Sequence, residues 1–162
     1  MRPALALIVT SLLVGTARAE PVRAEPVTGR ASVIDGDTID VQGRRIRLHG
    51  VDAPESGQRC RRAFGLVEYR CGKEAAFALA DRIGARNVSC EVRDVDRYKR
   101  LVAVCRDGDQ DLNGWMVRQG WALAYVRFSR DYEGEEQEAR EERRGVWRGA
   151  FVPPWEWRRG TR

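Results

Sequence analysis

Three short segments rich in β-branched residues follow one another from residue 31, and they constrain the fold more than any other feature of the chain. Their sequences are ASVI, TIDV and RRIRLHG, and the turn signals DGD and QGR separate them. Alternation of apolar and polar residues between such turns is typical of antiparallel strands. We therefore predict a three-stranded meander, with strands near residues 31–35, 38–42 and 44–50.

Two more strands and three helices are predicted further along the chain. The segments NVSCEVRDV and RLVAVCRDG have strand character, whereas KEAAFALADRIGA, DLNGWMVRQGWA and DYEGEEQEAREERRG have helical composition. Five short strands with one helix inserted before the last two suit a small closed barrel. We predict a mainly β fold with helices (α+β), a five-stranded Greek-key barrel of the OB type with three α-helices.

The N-terminus has the layout of a secretory signal peptide. Arg2 is followed by an apolar stretch from Ala4 to Val14, and Ala17-Arg18-Ala19 forms an A-x-A cleavage site. The apolar stretch is shorter than the roughly 20 residues of a membrane span, although an uncleaved anchor is the alternative. We expect cleavage after Ala19, or else after Ala24, and a periplasmic or secreted protein without stable membrane association.

The organisation predicted for the rest of the chain is a single domain between two short flanking segments. Residues 20–30 contain an Ala-Glu-Pro-Val duplication and are expected to be a flexible lead-in. Residues 31–150 are the predicted barrel domain, and residues 151–162 are a C-terminal tail whose Trp155 and Trp157 are expected to dock on the domain. The 162-residue chain has a net charge of +5, which is compatible with a polyanionic ligand but does not demonstrate one. We expect a monomer.

Four cysteines accompany the export signal, and an even number in an oxidising compartment favours two disulfides. A zinc site is the alternative, but the chain lacks a C-x-x-C pair and has one histidine, His49. Three connectivities are possible. The strand layout favours Cys90–Cys105 as a cross-strand pair, and Cys60–Cys71 would then close the irregular loop before the first helix.

Charged residues at predicted turns and strand ends are candidates for chemistry. Asp37 in VIDGDT and Asp52 in RLHGVDAPE are two carboxylates that suit a hard cation such as Ca²⁺. Glu55 is close enough to serve as a base, and Arg47 has the donors that a phosphate needs. DVDRYKR adds Arg97 and Arg100 around Tyr98. A metal, a base and arginines together meet the needs of phosphodiester hydrolysis, whereas scattered surface charges are the alternative.

The four motifs VIDGDT, RLHGVDAPE, DRYKR and LNGWMVRQGWA, in this order and spacing, resemble those of the thermonuclease family from about Ser32 to Trp147. The resemblance implies a five-stranded OB barrel with three helices. It also implies a secreted or periplasmic Ca²⁺-dependent nuclease that cleaves DNA and RNA and leaves 3′-phosphate ends. The alternative is a non-catalytic OB-type module that binds nucleic acid or another polyanion, as degenerate members of the superfamily do.

The resemblance also implies roles for individual residues. Asp37 and Asp52 match the metal-binding carboxylates, and Ala53 matches a position that supplies a backbone carbonyl to the metal. Glu55 matches the general base. The remaining matches are two catalytic arginines, two residues that contact a terminal phosphate and one nucleotide-stacking tyrosine: Arg47, Arg100, Arg97, Tyr98 and Tyr125.

Two positions depart from the family pattern. Lys99 stands where the family usually has glycine, and Arg127 stands where a second stacking tyrosine would lie. The first change affects the turn before Arg100 or adds a phosphate contact. The second leaves Tyr125 as the one match to the family's nucleotide-stacking tyrosines.

Overall fold

The structure, a computed structural model, describes residues 25–62 and 67–161. The expected signal peptide, its cleavage sites and residues 20–24 of the expected lead-in lie outside these residues. The strands are β1 Val27–Asp35, β2 Thr38–Val41, β3 Arg44–Leu48, β4 Val51–Asp52, β5 Cys60–Arg62, β6 Val67–Tyr69, β7 Asn87–Val95, β8 Leu101–Asp107, β9 Gln110–Asp111 and β10 Leu123–Ala124. The α-helices are α1 Cys71–Ile83, α2 Leu112–Arg118, α3 Glu133–Glu141 and α4 Pro154–Arg158, with a 3-10 helix at Gly145–Arg148.

Five strands close into a barrel. β1 pairs antiparallel with β2 and β7, β2 pairs with β3, and β7 pairs with β8. The barrel is closed by a parallel pairing of β3 with β8, in which Ile46 lies opposite Leu101 and Arg47 opposite Val102. This confirms the predicted five-stranded α+β barrel of the OB type.

The core of the barrel comes from the alternating pattern of the strands. Ile39 and Val41 of β2 and Ile46 and Leu48 of β3 are at most 1% exposed, and they pack with Leu79 of α1. Polar residues between them face outward, as the period of two in a strand requires. The core therefore lies inside the barrel and beneath α1, and the charged site residues lie at its edge.

The first strand begins earlier than predicted. Val27–Arg30, expected in the lead-in, pair with Cys90–Asn87 of β7, and Val27 is buried. The prediction of a flexible segment at these four residues was wrong because the ladder to β7 supplies partners for their backbone. Short strands β4, β5, β6, β9 and β10 were not predicted, since two or three residues are too few to show an alternating pattern.

The helices also differ in number from the prediction. The three predicted helices correspond to α1, α2 and α3, and the described residues contain a fourth, α4, in the expected tail. Pro154 at the first position of α4 suits a helix start, because that position needs no hydrogen-bonded N–H. Within residues 25–62 and 67–161, no helix is long and apolar enough to cross a membrane.

Two disulfides join Cys60 to Cys71 and Cys90 to Cys105, which is the pairing that the strand layout favours. Cys90 and Cys105 lie opposite each other on β7 and β8. The other disulfide ties β5 to the start of α1. Its two cysteines are buried in a second apolar cluster that includes Phe151 and Trp155 of the C-terminal segment.

Candidate active site

Asp37 is held at the end of the β1–β2 turn by hydrogen bonds to both carboxylate oxygens. Its Oδ1 accepts from Arg47 at 2.5 Å and from the Thr38 hydroxyl at 3.1 Å, and its Oδ2 accepts from the Ala53 N–H at 2.9 Å. The turn itself is fixed by Asp35, whose Oδ1 accepts from the Asp37 N–H at 3.0 Å. Asp35 therefore shapes the turn and Asp37 points into the site, as the VIDGDT motif suggests.

Arg47 lies between the two buried aspartates. It donates to Asp37 and, through its other terminal nitrogen, to Oδ1 of Asp52 at 2.9 Å and the Val51 carbonyl at 3.2 Å. The β2–β3 register places Arg47 opposite Thr38, so its side chain reaches both carboxylates from one strand. Burial lowers the pKa of Arg47, but the charges of Asp37 and Asp52 raise it by more, and Arg47 stays charged.

The carboxyl groups of Asp35 and Asp52 are both close enough to Asp37 to be affected by its charge. Burial and the charge of Asp37 raise the pKa of Asp35 to about 6. Burial also raises the pKa of Asp52, which is 0% exposed, although hydrogen bonds from Arg158 oppose this shift. Burial and the charge of Asp37 disfavour ionisation of Asp35 and Asp52, and a bound cation would relieve the repulsion.

Glu55 sits on the loop after β4, and the start of α1 packs directly against this loop. The Gln58 side chain accepts from the Glu55 N–H at 3.2 Å, and the Gln58 N–H donates to the Glu55 carbonyl at 2.7 Å. At Gly72 of α1, a Cβ atom would lie 1.8 Å from the Glu55 carbonyl oxygen, so this close approach requires glycine. The Glu55 carboxylate remains 36% exposed and faces the cavity.

Arg100 is positioned by the turn between β7 and β8. Asp96 accepts from the Arg100 N–H at 2.9 Å and from its Nε at 2.7 Å, and a terminal nitrogen of Arg100 lies 3.4 Å from the Thr38 hydroxyl. The Thr38 hydroxyl also donates a hydrogen bond to Asp37, so Thr38 links Arg100 to the Asp37 carboxylate. On the same turn, Arg97 donates to the hydroxyl of Tyr98 at 2.8 Å, and Tyr98 is 65% exposed.

Arg158 of α4 also reaches this site, and its presence there was not predicted from the sequence motifs. Its two terminal nitrogens lie 3.1 Å from Oδ1 and 2.7 Å from Oδ2 of Asp52, and one of them lies 2.6 Å from Oε1 of Glu55. The segment PPWEWRRG contains a relevant signal. Pro153-Pro154 marks a helix start, and Trp155 and Arg158 at i and i+3 share one helix face.

Tyr125 forms the aromatic side of the site. Its ring stacks on Trp155, with centroids 5.5 Å apart and planes 8° from parallel, and Phe128 packs at 4.9 Å in a tilted arrangement. Trp155 therefore docks on the domain, as expected, and it does so on the residue predicted to stack on nucleotides.

One cavity of about 900 Å³ brings the predicted residues together. Asp52 lies beneath the cavity and contacts its wall through Arg47 and Arg158. The other predicted residues line the cavity: Asp37, Arg47, Ala53, Glu55, Arg97, Tyr98, Arg100 and Tyr125. The cavity therefore contains a carboxylate, Glu55, that can take a proton, and two arginines, Arg47 and Arg100, that can bind an anionic oxygen.

The oxygen donors of the site fit a hard cation with few protein ligands. Within the described part of the chain, no three His, Cys, Asp or Glu side chains are grouped as metal ligands. A cation at Asp37 and Asp52 would therefore need backbone or water oxygens as well, which Ca²⁺ accepts readily. The hydrogen bond that Ala53 makes with Asp37 uses its N–H group. Ligation by the Ala53 carbonyl stays a prediction.

Comparison with known proteins identifies the family. The model of the family described as "Staphylococcal nuclease homologue" matches residues 45–149. The succinoglycan biosynthesis protein ExoI of Rhizobium meliloti (strain 1021) is 43% identical over 128 residues, which cover 77% of this chain and 66% of that protein. A micrococcal nuclease of Shigella flexneri is 36% identical over 148 residues, covering 80% of this chain and 79% of that protein.

A third relative, protein ParB of Escherichia coli, is 37% identical over 159 residues, covering 87% of this chain and 84% of ParB. The family model covers more than half of the chain, and these relatives confirm the resemblance seen in the sequence motifs. The chain belongs to the staphylococcal nuclease homologue family, a family of hydrolytic nucleases.

Proposed function

We propose that this protein is a Ca²⁺-dependent nuclease that hydrolyses phosphodiester bonds of DNA and RNA and leaves 3′-phosphate ends. The observation that carries the proposal is the meeting of Asp37, Arg47, Glu55 and Arg100 at one cavity, above the buried Asp52. The matches to the family model and to a micrococcal nuclease support the same chemistry.

The proposed reaction assigns one role to each group. Glu55 accepts a proton from a water molecule, whose oxygen forms a bond to phosphorus as the bond to the 5′-oxygen breaks. The leaving 5′-oxygen takes up a proton from solvent. Arg47 and Arg100 donate hydrogen bonds to the phosphoryl oxygens, where negative charge increases during the attack.

Asp37 and Asp52, with the Ala53 carbonyl, are the proposed Ca²⁺ ligands. When bound, the ion neutralises charge on the phosphoryl oxygens as a Lewis acid. Arg97 and Tyr98 are proposed to contact a terminal phosphate. Tyr125 is proposed to contact a base, although Trp155 and Phe128 already flank its ring.

We also propose that the protein is exported to the periplasm or the medium, that residues 1–19 are its signal peptide and that it acts as a monomer. The two disulfides are compatible with an oxidising compartment. Cell fractionation and N-terminal sequencing of the purified protein test the first two statements. Size-exclusion chromatography with light scattering tests the third.

The central experiment is cleavage of plasmid DNA and of a single-stranded RNA with Ca²⁺ and with EGTA. We expect cleavage with Ca²⁺, none with EGTA, and a fall in turnover of at least about 100-fold in Glu55→Gln and Arg100→Ala. Glu91→Gln and Arg30→Ala are matched controls outside the cavity, and we expect wild-type rates from both. Wild-type turnover in Glu55→Gln would exclude the mechanism, and full activity in EGTA would exclude the metal. If the protein bound the nucleic acid tightly in the presence of Ca²⁺ but did not cleave it, its role would be non-catalytic.

A further inference from the structure

The position of Arg158 is fixed by contacts that do not involve the residues it meets in the active site. The C-terminal segment, residues 150–159, pairs with β5 through two hydrogen bonds between Ala150 and Arg61 at 2.8 and 2.9 Å. The fully buried Gln58 donates to the Val152 carbonyl at 2.6 Å, and Trp155 stacks on Tyr125. These anchors bring the face of α4 that carries Arg158 to the cavity.

Arg158 occupies the oxygens of Asp52 that a metal ion would need. Oδ2 of Asp52 accepts from Arg158, and Oδ1 accepts from both Arg158 and Arg47. Asp37 differs, because its Oδ2 accepts a neutral backbone N–H. A divalent cation that takes Asp52 as a ligand has to replace a guanidinium of the same charge sign at a buried carboxylate.

We propose that Arg158 competes with the divalent cation for Asp52, so that the C-terminal segment lowers the metal affinity of the site. The proposal rests on the proposed function, which makes Asp52 a metal ligand. The same guanidinium also contacts Glu55, so metal binding releases the base from Arg158. If Arg158 leaves Asp52 in about one molecule in ten, the apparent dissociation constant for the metal is raised about tenfold.

The test measures Ca²⁺ binding by isothermal titration calorimetry without nucleic acid, so that it does not depend on cleavage. We expect Arg158→Gln to bind Ca²⁺ about tenfold more tightly than the wild type. Arg159→Gln is the matched control. It removes the same charge from the next residue, whose guanidinium is exposed and pairs with Glu156. The proposal would be overturned if Arg158→Gln bound Ca²⁺ no more tightly than the wild type. It would also be overturned if Ca²⁺ affinity increased equally in Arg159→Gln.

Circular dichroism checks the fold of each variant, and Arg158→Lys replaces Arg158→Gln if the latter does not fold. Lysine keeps the charge but cannot contact two carboxylate oxygens with a planar fork, so we expect tighter Ca²⁺ binding than in the wild type here too. Equal affinity in wild type and variant would exclude competition and leave the nuclease proposal intact. Absence of Ca²⁺ binding in both would exclude competition and the calcium role together.

A second, smaller cavity of about 360 Å³ lies beside the first. It lies between the β2–β3 and β7–β8 turns, which are neighbours because β3 pairs with β8. Tyr98 and Arg100 line both cavities. The full lining is Gly43, Arg44, Arg45, Tyr98, Lys99, Arg100 and Leu101, and it contains no carboxylate.

Three cations of this second cavity, Arg44, Arg45 and Lys99, are exposed, whereas Arg100 is half-buried and pairs with Asp96. Among the described residues, no carboxylate forms an ion pair with Arg44, Arg45 or Lys99. Lys99 has a φ of 63°, in the left-handed region that costs a side-chain-bearing residue about 1–2 kcal/mol. The turn therefore carries a cation at a position where its backbone favours glycine.

We infer that the second cavity binds phosphates of a nucleic-acid strand that continue beyond the scissile bond. Arg100, which lines both cavities, joins this phosphate subsite to the catalytic cavity, and the unpaired cations supply charge of the right sign. The inference rests on the proposed function, since the strand must first occupy the catalytic cavity.

The test compares a dinucleotide with a 20-nucleotide single strand as substrates. In the triple variant Arg44→Gln/Arg45→Gln/Lys99→Gln, we expect the KM for the long strand to rise about tenfold relative to that for the dinucleotide. We also expect the salt slope of long-strand binding to fall by about two, as loss of three phosphate contacts predicts. The control triple, Arg30→Gln/Arg143→Gln/Arg148→Gln, removes equal charge from exposed residues outside both cavities.

The inference would be overturned if the triple variant left the ratio of the KM for the long strand to the KM for the dinucleotide unchanged. It would also be overturned if the control triple changed this ratio equally. If the wild type cleaves neither substrate, the proposed function is wrong. Fluorescence anisotropy of the labelled long strand then tests the subsite directly, and equal affinity in wild type and variant would exclude it.

Discussion

Arg47 donates a hydrogen bond of 2.9 Å to Asp52, a carboxylate with no exposure to solvent. The same guanidinium lies 2.5 Å from Asp37. Arg47 therefore compensates the buried charge of Asp37 and shares that of Asp52 with Arg158, in addition to its proposed contact with phosphate. Arg100 differs, because its partner Asp96 lies on a surface turn.

This difference predicts that the two arginines contribute unequally to stability. Arg47→Ala leaves two buried carboxylates short of a partner, and we expect the free energy of unfolding to fall by about 3 kcal/mol. Arg100→Ala breaks a pair near the surface, and we expect a loss below about 1 kcal/mol. Urea denaturation at neutral pH measures both. Equal losses would contradict the assignment of a structural role to Arg47.

Asp96 is predicted to hold Arg100 in place through its charge. Burial raises the pKa of Asp96, but hydrogen bonds from the Arg100 backbone and side chain lower it by more. Because the pKa is lowered in the folded protein, the stabilisation is present above the ordinary Asp pKa and is lost as the pH falls through the lowered value.

We therefore expect Asp96→Asn to be less stable than the wild type near pH 7, with a difference that shrinks below about pH 4. Turnover should also fall, since Arg100 loses its Nε partner. Thermal melts across this pH range and initial cleavage rates provide the measurements. Asp94→Asn is the control on the neighbouring exposed position, and a similar pH dependence there would count against the role of Asp96.

Gly72 and Gly134 form a matched pair for testing the contact between α1 and the Glu55 loop. A Cβ at Gly72 would lie 1.8 Å from the Glu55 carbonyl, whereas a Cβ at Gly134 of α3 has no atom within 4 Å. Alanine at either position raises helix propensity by about 1 kcal/mol. We expect Gly134→Ala to raise the melting temperature, and Gly72→Ala to lower both stability and turnover. Normal turnover in Gly72→Ala would show that the position of the Glu55 loop is not critical.

The Cys60–Cys71 disulfide is predicted to anchor the C-terminal segment. Both cysteines are buried beside Phe151 and Trp155, and closing a loop of this size stabilises by about 3 kcal/mol. In Cys60→Ala/Cys71→Ala we expect faster hydrogen exchange at residues 150–159, the C-terminal segment. Cys90→Ala/Cys105→Ala lies in the barrel, and we expect it to destabilise the fold without a selective effect on that segment. A selective increase in hydrogen exchange at the C-terminal segment in both double variants would contradict this anchoring role.

The sequence was sufficient for most of the barrel because its signals are local. Asp-Gly and Gln-Gly turns and alternating apolar residues such as Ile39, Val41 and Ile46 are visible within a few positions, and burial follows directly from them. The start of β1 was missed because Val27–Arg30 are stabilised by distant residues of β7. No pattern inside those four residues reports that pairing.

In the candidate site, too, residues within the sequence motifs were predicted, and a residue positioned by distant contacts was missed. The resemblance of the motifs to the thermonuclease family implied one site for Asp37, Arg47 and Glu55, and all three line the large cavity. Arg158 was missed because its position depends on the docking of the whole C-terminal segment against β5, Gln58 and Tyr125. A short helix with two adjacent arginines does not by itself indicate which guanidinium faces a carboxylate.

The parallel pairing of β3 with β8 has a consequence for the order of folding. Arg47 lies in this pairing, and Arg100 immediately precedes β8, so no local hairpin brings the two arginines together. Contacts between segments far apart in sequence are slow to form, because their loop-closure entropy is lost before they are made. During refolding, the proposed phosphate-binding pair is therefore assembled when β3 meets β8, and recovery of catalysis should follow that step.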